Sequence, residues 1–174
     1  MLELVLGGAR SGKSRYAEQL ASSSGLAVHY IATAEAWDDE MAARIAAHRH
    51  QRPQEWITHE VPLALADAIQ THAHQDRLLL IDCLTLWLTN QLLAAPDQLS
   101  ASNDALVHAM AEAPGRVVAV SNETGQGVVP TEALSRRFVD YSGWLHQQLA
   151  ARADRVWWVV AGLPQCLKGS PDAP

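Results

Sequence analysis

Near the start of the chain, Gly7-Gly8-Ala9-Arg10-Ser11-Gly12-Lys13-Ser14 follows the spacing G-x-x-x-x-G-K-[ST]. That pattern makes a phosphate cradle when it joins a strand to a helix. The glycines let backbone N–H groups turn toward phosphate oxygens with no Cβ in the way. A helix N-terminus adds partial positive charge at the same place. Lys13 would reach the outer phosphates of a nucleoside triphosphate, and the Ser14 hydroxyl would help hold Mg²⁺. A second acid should complete the Mg²⁺ shell from the end of another apolar strand. Asp82, directly after Leu-Leu-Leu-Ile, is placed to do so.

A second stretch, DDEMAARIAAHRHQRP, sets His48 among Arg44, Arg49 and Arg52. On a helix, Met41, Ile45 and His48 share one side, while Arg44, His48 and Arg52 stack at four-residue steps. Arginine forks grip phosphates, and nearby cations would keep the imidazole neutral and nucleophilic. Such a histidine could attack an α-phosphate and form a phosphoramidate. From spacing alone, a solvated basic helix face with a histidine at its edge is the commoner arrangement. His48 and His50, like His72 and His74, are two apart and would diverge on a helix, so neither pair reads as a metal site.

These residues need elements to position them. Leu2–Leu6 reads as a buried parallel strand and Ser14–Ser22 as a helix, with Ala27–Ala32 a second strand. Asp38 caps a helix that Pro53 stops. Leu63–His72 and Leu84–Leu93 read as helices, Leu78–Ile81 and Val117–Val120 as strands. Ala94–Asn103 is polar and proline-containing and reads as an exposed loop, as does glycine-rich 122–130. Leu134, Phe138, Tyr141, Leu145 and Leu149 recur at helical spacing, and Val156–Ala161 closes the pattern as a strand. Alternating strands and helices imply an α/β sandwich with a mostly parallel sheet. One domain over 1–169 is expected, with 170–174 a flexible tail. Trp157 and Trp158 are expected as strand residues, Trp87 and Trp144 as helix core.

The chain has 174 residues, is 48% hydrophobic and carries a formal net charge of −6, which disfavours a nucleic-acid footprint. No apolar run is long enough to span a bilayer. Two distant cysteines, Cys83 and Cys166, give no zinc or disulfide framework and suit a reducing, cytoplasmic setting. An N-K-x-D guanine loop is absent. A small-molecule kinase without a covalent histidine, and a nucleotide-dependent binding module, both stand beside nucleotidyl transfer at this point.

GGARSGKS, YIATAE at 30–35, DDEMAARIAAHRHQRPQEWITHE at 38–60, LLIDCLTLWLTN at 79–90, VSNETGQGVVP at 120–130 and the closing VVAGLP resemble, in order, the bifunctional adenosylcobinamide kinase / adenosylcobinamide-phosphate guanylyltransferases of cobalamin biosynthesis. The resemblance implies a RecA-like P-loop NTPase sandwich. It implies phosphorylation of a corrinoid's aminopropanol hydroxyl by ATP or GTP, then GMP transfer from GTP through a guanylylated His48, with Lys13 also catalytic. Nucleotide contacts would fall on Gly7 through Ser14, on Thr33, Ala34 and Glu35, on Arg49, His50, Gln51 and Arg52, and on Glu60 and Asp82. By itself Glu60 reads as an exposed helix cap. Ser14 and Asp82 would form the Mg²⁺ shell, Asp82 standing where some relatives carry Glu. Asn122 and Glu123 match a loop near the active site. A homotrimer with corrinoid pockets between subunits is also implied.

Overall fold

A computed structural model of the chain describes residues 1–170, with the side chains of Arg44, His48 and Gln51 outside the described set. The tail expected at 170–174 therefore lies, but for its first residue, outside the described residues.

The elements run β1 (Leu2–Gly7), α1 (Lys13–Ser22), β2 (Ala27–Ala32), α2 (Asp39–Gln51), β3 (Ile57–Glu60), α3 (Leu65–His72), β4 (Arg77–Asp82), α4 (Leu84–Ala94), α5 (Leu99–Glu112), β5 (Arg116–Asn122), α6 (Ala133–Arg152), β6 (Arg155–Val160) and β7 (Leu163–Lys168). They build one seven-stranded sheet in the order β3-β2-β4-β5-β1-β6-β7. Every pairing is parallel except β6 with β7. Central strands such as β1 and β4 are buried on both faces, which is why they read as unbroken apolar runs rather than alternating ones.

Two cores flank the sheet. Leu4, Leu79, Ile81 and Ala119 face one side, packed under Leu65, Ile69, Trp87, Leu106 and Leu145 from α3 to α6. Val5, Leu80, Val118 and Trp157 face the other, against Ala17 and Ala21 of α1 and against Trp56. The result is the expected three-layer sandwich. Glu3, fully buried in β1, is matched by Arg116 and Arg155 and accepts the Trp157 indole N–H at 2.9 Å. Paired donors of this kind offset the cost of taking a carboxylate out of water.

Several expectations are corrected. Ala94–Asn103 is not an exposed loop. A single 3₁₀ turn at 96–98 leads into α5, whose Leu99, Asn103 and Leu106 are buried against the sheet-side core. Glu60 is no helix cap but the last residue of β3, opposite Ala32 of β2. The N-cap of α4 is Cys83, the residue that follows Asp82. Trp87 and Trp157 are core residues as expected, whereas Trp144 is 54% exposed with its edge on Tyr141.

α4 also holds the loops that reach the site. Asn90 Nδ2 donates to the carbonyls of Thr33 (2.9 Å) and Pro62 (3.0 Å), and both Gln91 Nε2 and Trp87 Nε1 donate to that of Leu63. Loop backbone that enters the core thus finds partners it would otherwise lack.

Candidate nucleotide-transfer site

The cradle lies where β1 gives way to α1. Gly12 (φ 93°) and Arg10 (φ 55°) take left-handed backbone, turning the loop around a hollow. A Cβ on Gly7 would fall 2.5 Å from Ser11 Oγ and 2.6 Å from the Val159 carbonyl, so that position accepts glycine alone. Lys13, 8% exposed, curls its ammonium back to donate to the Gly8 carbonyl at 3.1 Å. Burial lowers its pKa, and the neighbouring Cys83 and Asp82 oppose that shift. A buried cation held across an anion-shaped loop is suited to releasing that bond for phosphate oxygens.

Strand order puts the acid nearby. β5 separates β1 from β4, and its last residue, Asn122, pairs in register with Gly7. Asp82 ends β4 beside it and accepts the Tyr30 hydroxyl at 2.9 Å. Burial first, and Asp82 second, push the Tyr30 phenol far above its ordinary range, so the phenol stays a donor. Thr33 fixes the next turn: its hydroxyl donates to the Cys83 carbonyl (2.7 Å) and accepts from the Cys83 N–H (2.9 Å).

α2 begins as expected, with Asp38 accepting the Met41 N–H at 2.7 Å and acids in its first turn. It does not carry Arg52 at the predicted four-residue step. The helix ends at Gln51, and Arg52 has extended backbone. Its guanidinium instead lies over the Tyr30 ring, 3.6 Å from the centroid, with Trp56 stacked at 6.4 Å from the same ring. Arg49 pairs with Glu60, both half exposed.

One cavity of about 630 Å³ joins these parts. It is lined by Ala9 through Ser14, by Ala34, by Arg49 and Arg52, and by Glu60 and Asp82, eleven of the residues singled out in the sequence. Gly7, Gly8, Thr33, Glu35 and His50 do not line it. Glu35 accepts from the Trp37 indole, and His50 is turned onto its own helix at the Ala46 carbonyl, 2.8 Å away. Position 48 belongs to α2, between Ile45 and Arg49, which both reach the cavity; its side chain, like that of Gln51, lies outside the described residues.

Sequence reasoning missed Tyr30, Met41, Ile45, Cys83 and Leu86 as cavity walls, and gave Asn122 no role. Tyr30 opens the YIATAE segment but is given no role there, because its importance lies in touching Asp82 and Arg52 across the sheet. Asn122 Oδ1 is buried in the wall without a hydrogen-bond partner. Its neighbour Glu123 donates its N–H to the Gly7 carbonyl at 3.1 Å and faces His146 at 3.5 Å.

The donor set at Ser14 and Asp82 is hydroxyl and carboxylate oxygen beside a phosphate cradle, which fits Mg²⁺ better than a softer ion. The arrangement can therefore hold a triphosphate, with arginines available on a second side of it.

Comparison with known proteins agrees with this geometry. The family model described as cobinamide kinase / cobinamide phosphate guanyltransferase matches residues 3–167. The chain is 59% identical over 172 residues to the bifunctional adenosylcobalamin biosynthesis protein CobP of Pseudomonas aeruginosa, covering 98% of this chain and 99% of that protein. It is 42% identical over 177 residues to CobU of Escherichia coli, covering 94% and 97%. Among solved structures, the assembled ATPase EscN of an enteropathogenic E. coli secretion system superposes with a TM-score of 0.55 at 10% identity, covering 92% of this chain and 43% of that one; this likeness concerns the RecA-like P-loop fold alone. By sequence, fold and site together, this chain belongs to the CobU family of bifunctional cobinamide kinase / cobinamide phosphate guanyltransferase enzymes.

Proposed function

We propose that one cavity serves two phosphorus-transfer reactions. In the first, ATP or GTP phosphorylates the aminopropanol hydroxyl of adenosylcobinamide. In the second, GTP passes GMP to that phosphate through a covalent bond to His48, and pyrophosphate leaves. The observation that carries this reading is that α2, with Ile45 and Arg49 on either side of position 48, shares its cavity with the P-loop and Asp82.

Both reactions are attacks on phosphorus, so position and charge neutralisation are the protein's main contributions. Gly7 through Ser14 cradle the triphosphate, and Lys13 exchanges the Gly8 carbonyl for phosphate oxygens. Ala34, Arg49, Arg52 and Glu60, which line the cavity, form the rest of the nucleotide contact with Gln51, while Thr33, Glu35 and His50 would support it from outside the cavity wall. Ser14 and Asp82 hold Mg²⁺, which when bound neutralises charge on the phosphates. For guanylyl transfer the neutral imidazole of His48 attacks the α-phosphorus, the bond to the β-phosphate oxygen breaks, and a P–N bond forms. The corrinoid phosphate then displaces the imidazole, restoring it. The chain is proposed to work in the cytoplasm as a homotrimer and to bind no nucleic acid, in keeping with its net charge of −6; among the described residues no helix is long and apolar enough to cross a membrane.

The test is to incubate the protein with Mg²⁺ and GTP labelled at the α-phosphate, denature it and look for bound label. An adduct stable to alkali, labile to acid and missing from His48→Ala is expected. Absence of label on folded protein that still binds GTP would leave the kinase reading alone.

A further inference from the structure

Away from the nucleotide cavity, three histidines from three elements converge. His29 lies on β2, His59 on β3, and His72 ends α3. One ring nitrogen of each lies within 4.8 Å of the other two, the only such group of three potential ligands among the described residues. His29 Nδ1 is 3.0 Å from His59 Nε2, and the His59 and His72 rings stack with centroids 3.9 Å apart. His29 is 6% exposed, and the other two are half-buried at the rim.

We propose that His29, His59 and His72 bind one late first-row transition-metal ion, of the kind Zn²⁺ and Co²⁺ represent, with a fourth position open to solvent. Among the described residues, one hydrogen bond between His29 and His59 leaves this cluster with more imidazole nitrogens than partners. Imidazole prefers such ions, whereas Mg²⁺ prefers oxygen, so the site is chemically separate from the one at Ser14 and Asp82. Tetrahedral geometry at a metal–nitrogen distance of ~2.0–2.1 Å sets the ligand nitrogens about 3.3 Å apart. The His29–His59 pair is already near that separation, and a turn of the His72 ring at the end of α3 closes the third contact.

The surroundings support the choice of ligands. His29 and His59 are held below the ordinary histidine pKa by burial first and by neighbouring His72 and Arg77, so both offer uncharged lone pairs. Arg77 is an adverse charge, and its guanidinium donates to the His72 carbonyl at 3.2 Å. His74 is engaged with Asp76 at 2.5 Å and is not a ligand. The ion would join edge strand β3 to β2 and α3. Since β3 ends at Glu60, the partner of Arg49, the brace would steady one wall of the nucleotide cavity.

The test uses tag-free full-length protein without nucleotide, titrated with Co²⁺ while the visible bands of a four-coordinate site are followed, with Zn²⁺ as competitor. One ion per chain is expected. His59→Gln and His72→Gln should each weaken binding roughly tenfold or more. His74→Gln and His48→Ala should leave it unchanged. Zn²⁺ should raise the melting temperature of the parent chain but not of the two ligand variants. His29 is buried, so its replacement risks the fold, and the rim histidines carry the test. Absence of saturable Co²⁺ bands, or binding indifferent to both rim substitutions, would overturn the site.

Discussion

The guanidinium of Arg52 lies 3.6 Å over the ring of Tyr30, and the hydroxyl of that same ring donates to Asp82. One side chain therefore links the arginine–histidine segment to the acid beside the phosphate cradle. Tyr30→Phe keeps the stacking surface and removes only the hydrogen bond. A bond to a charged group contributes about 1.5–3 kcal/mol, so the midpoint in denaturant should fall accordingly. The concentration of Mg²⁺ that half-saturates kinase activity should change as Asp82 loses its orienting donor. Tyr30→Leu should in addition impair GMP transfer, because Arg52 loses its platform. Equal activity profiles for the two variants would show that the stack has no role.

Arg52 and Arg49 should respond differently to substitution. A lysine cannot lie flat on an aromatic ring or present a fork, so Arg52→Lys is not conservative. Guanylyl transfer by that variant is expected to drop by about tenfold or more, the cost of losing roughly 1.4 kcal/mol at the transition state. The Arg49–Glu60 pair is solvent-exposed and contributes about 0–1 kcal/mol to stability. Glu60→Gln should melt close to the parent chain while shifting the KM for GTP, read from initial rates.

Lys13 carries a conflict between stability and use. Burial disfavours its charged form, and folding lowers its pKa from 10.5. Between the lowered value and 10.5 the unfolded chain binds more protons than the folded one, so this group's contribution to stability rises with pH across that window. Below the lowered value the full penalty remains. Lys13→Met should therefore abolish both reactions yet raise the melting temperature at pH 7, each ~1 kcal/mol of relieved penalty reading as about 2–4 °C in a domain of this size. The gain should shrink as pH approaches 10.5. Thermal melts at pH 7 and pH 10 decide it, and a destabilised variant at pH 7 would refute the sign.

The parts of this site that could be read from the sequence are those whose signal is local. The cradle works through backbone geometry written in consecutive residues, and Asp82 is marked by the apolar run before it. What escaped was tertiary. β3 has only four residues and no buried alternation, so Glu60 had no strand to belong to. β7 contains Pro164 and pairs at an exposed antiparallel edge, where no apolar pattern is required. α5 was hidden because its first turns bury Leu99 and Asn103 between small polar residues. Arg52 followed the periodicity of a helix that ends one residue earlier. The His29, His59 and His72 group has no spacing rule, since strand pairing and the end of α3 assemble it.

His146 offers a test of the wall behind the cradle. It is 7% exposed, shares a 2.7 Å hydrogen bond with Ser121 and faces Glu123, whose N–H is bonded to Gly7. Burial holds its pKa below 6.5, with Glu123 pulling the other way. The unfolded chain takes up a proton as pH falls through 6.5, while folded His146 does not until its lower value is reached. Stability from this group is thus present above 6.5 and is lost on acidification across that window. His29 and His59 add losses of the same sign. His146→Gln preserves a polar contact to Ser121 without the titration, so its melting temperature should fall less between pH 7 and pH 5 than that of the parent chain. The two histidines left in place keep the remaining slope. Parallel curves for variant and parent would mean that His146 titrates alike in both states, and that its link through Glu123 to the cradle is packing without charge.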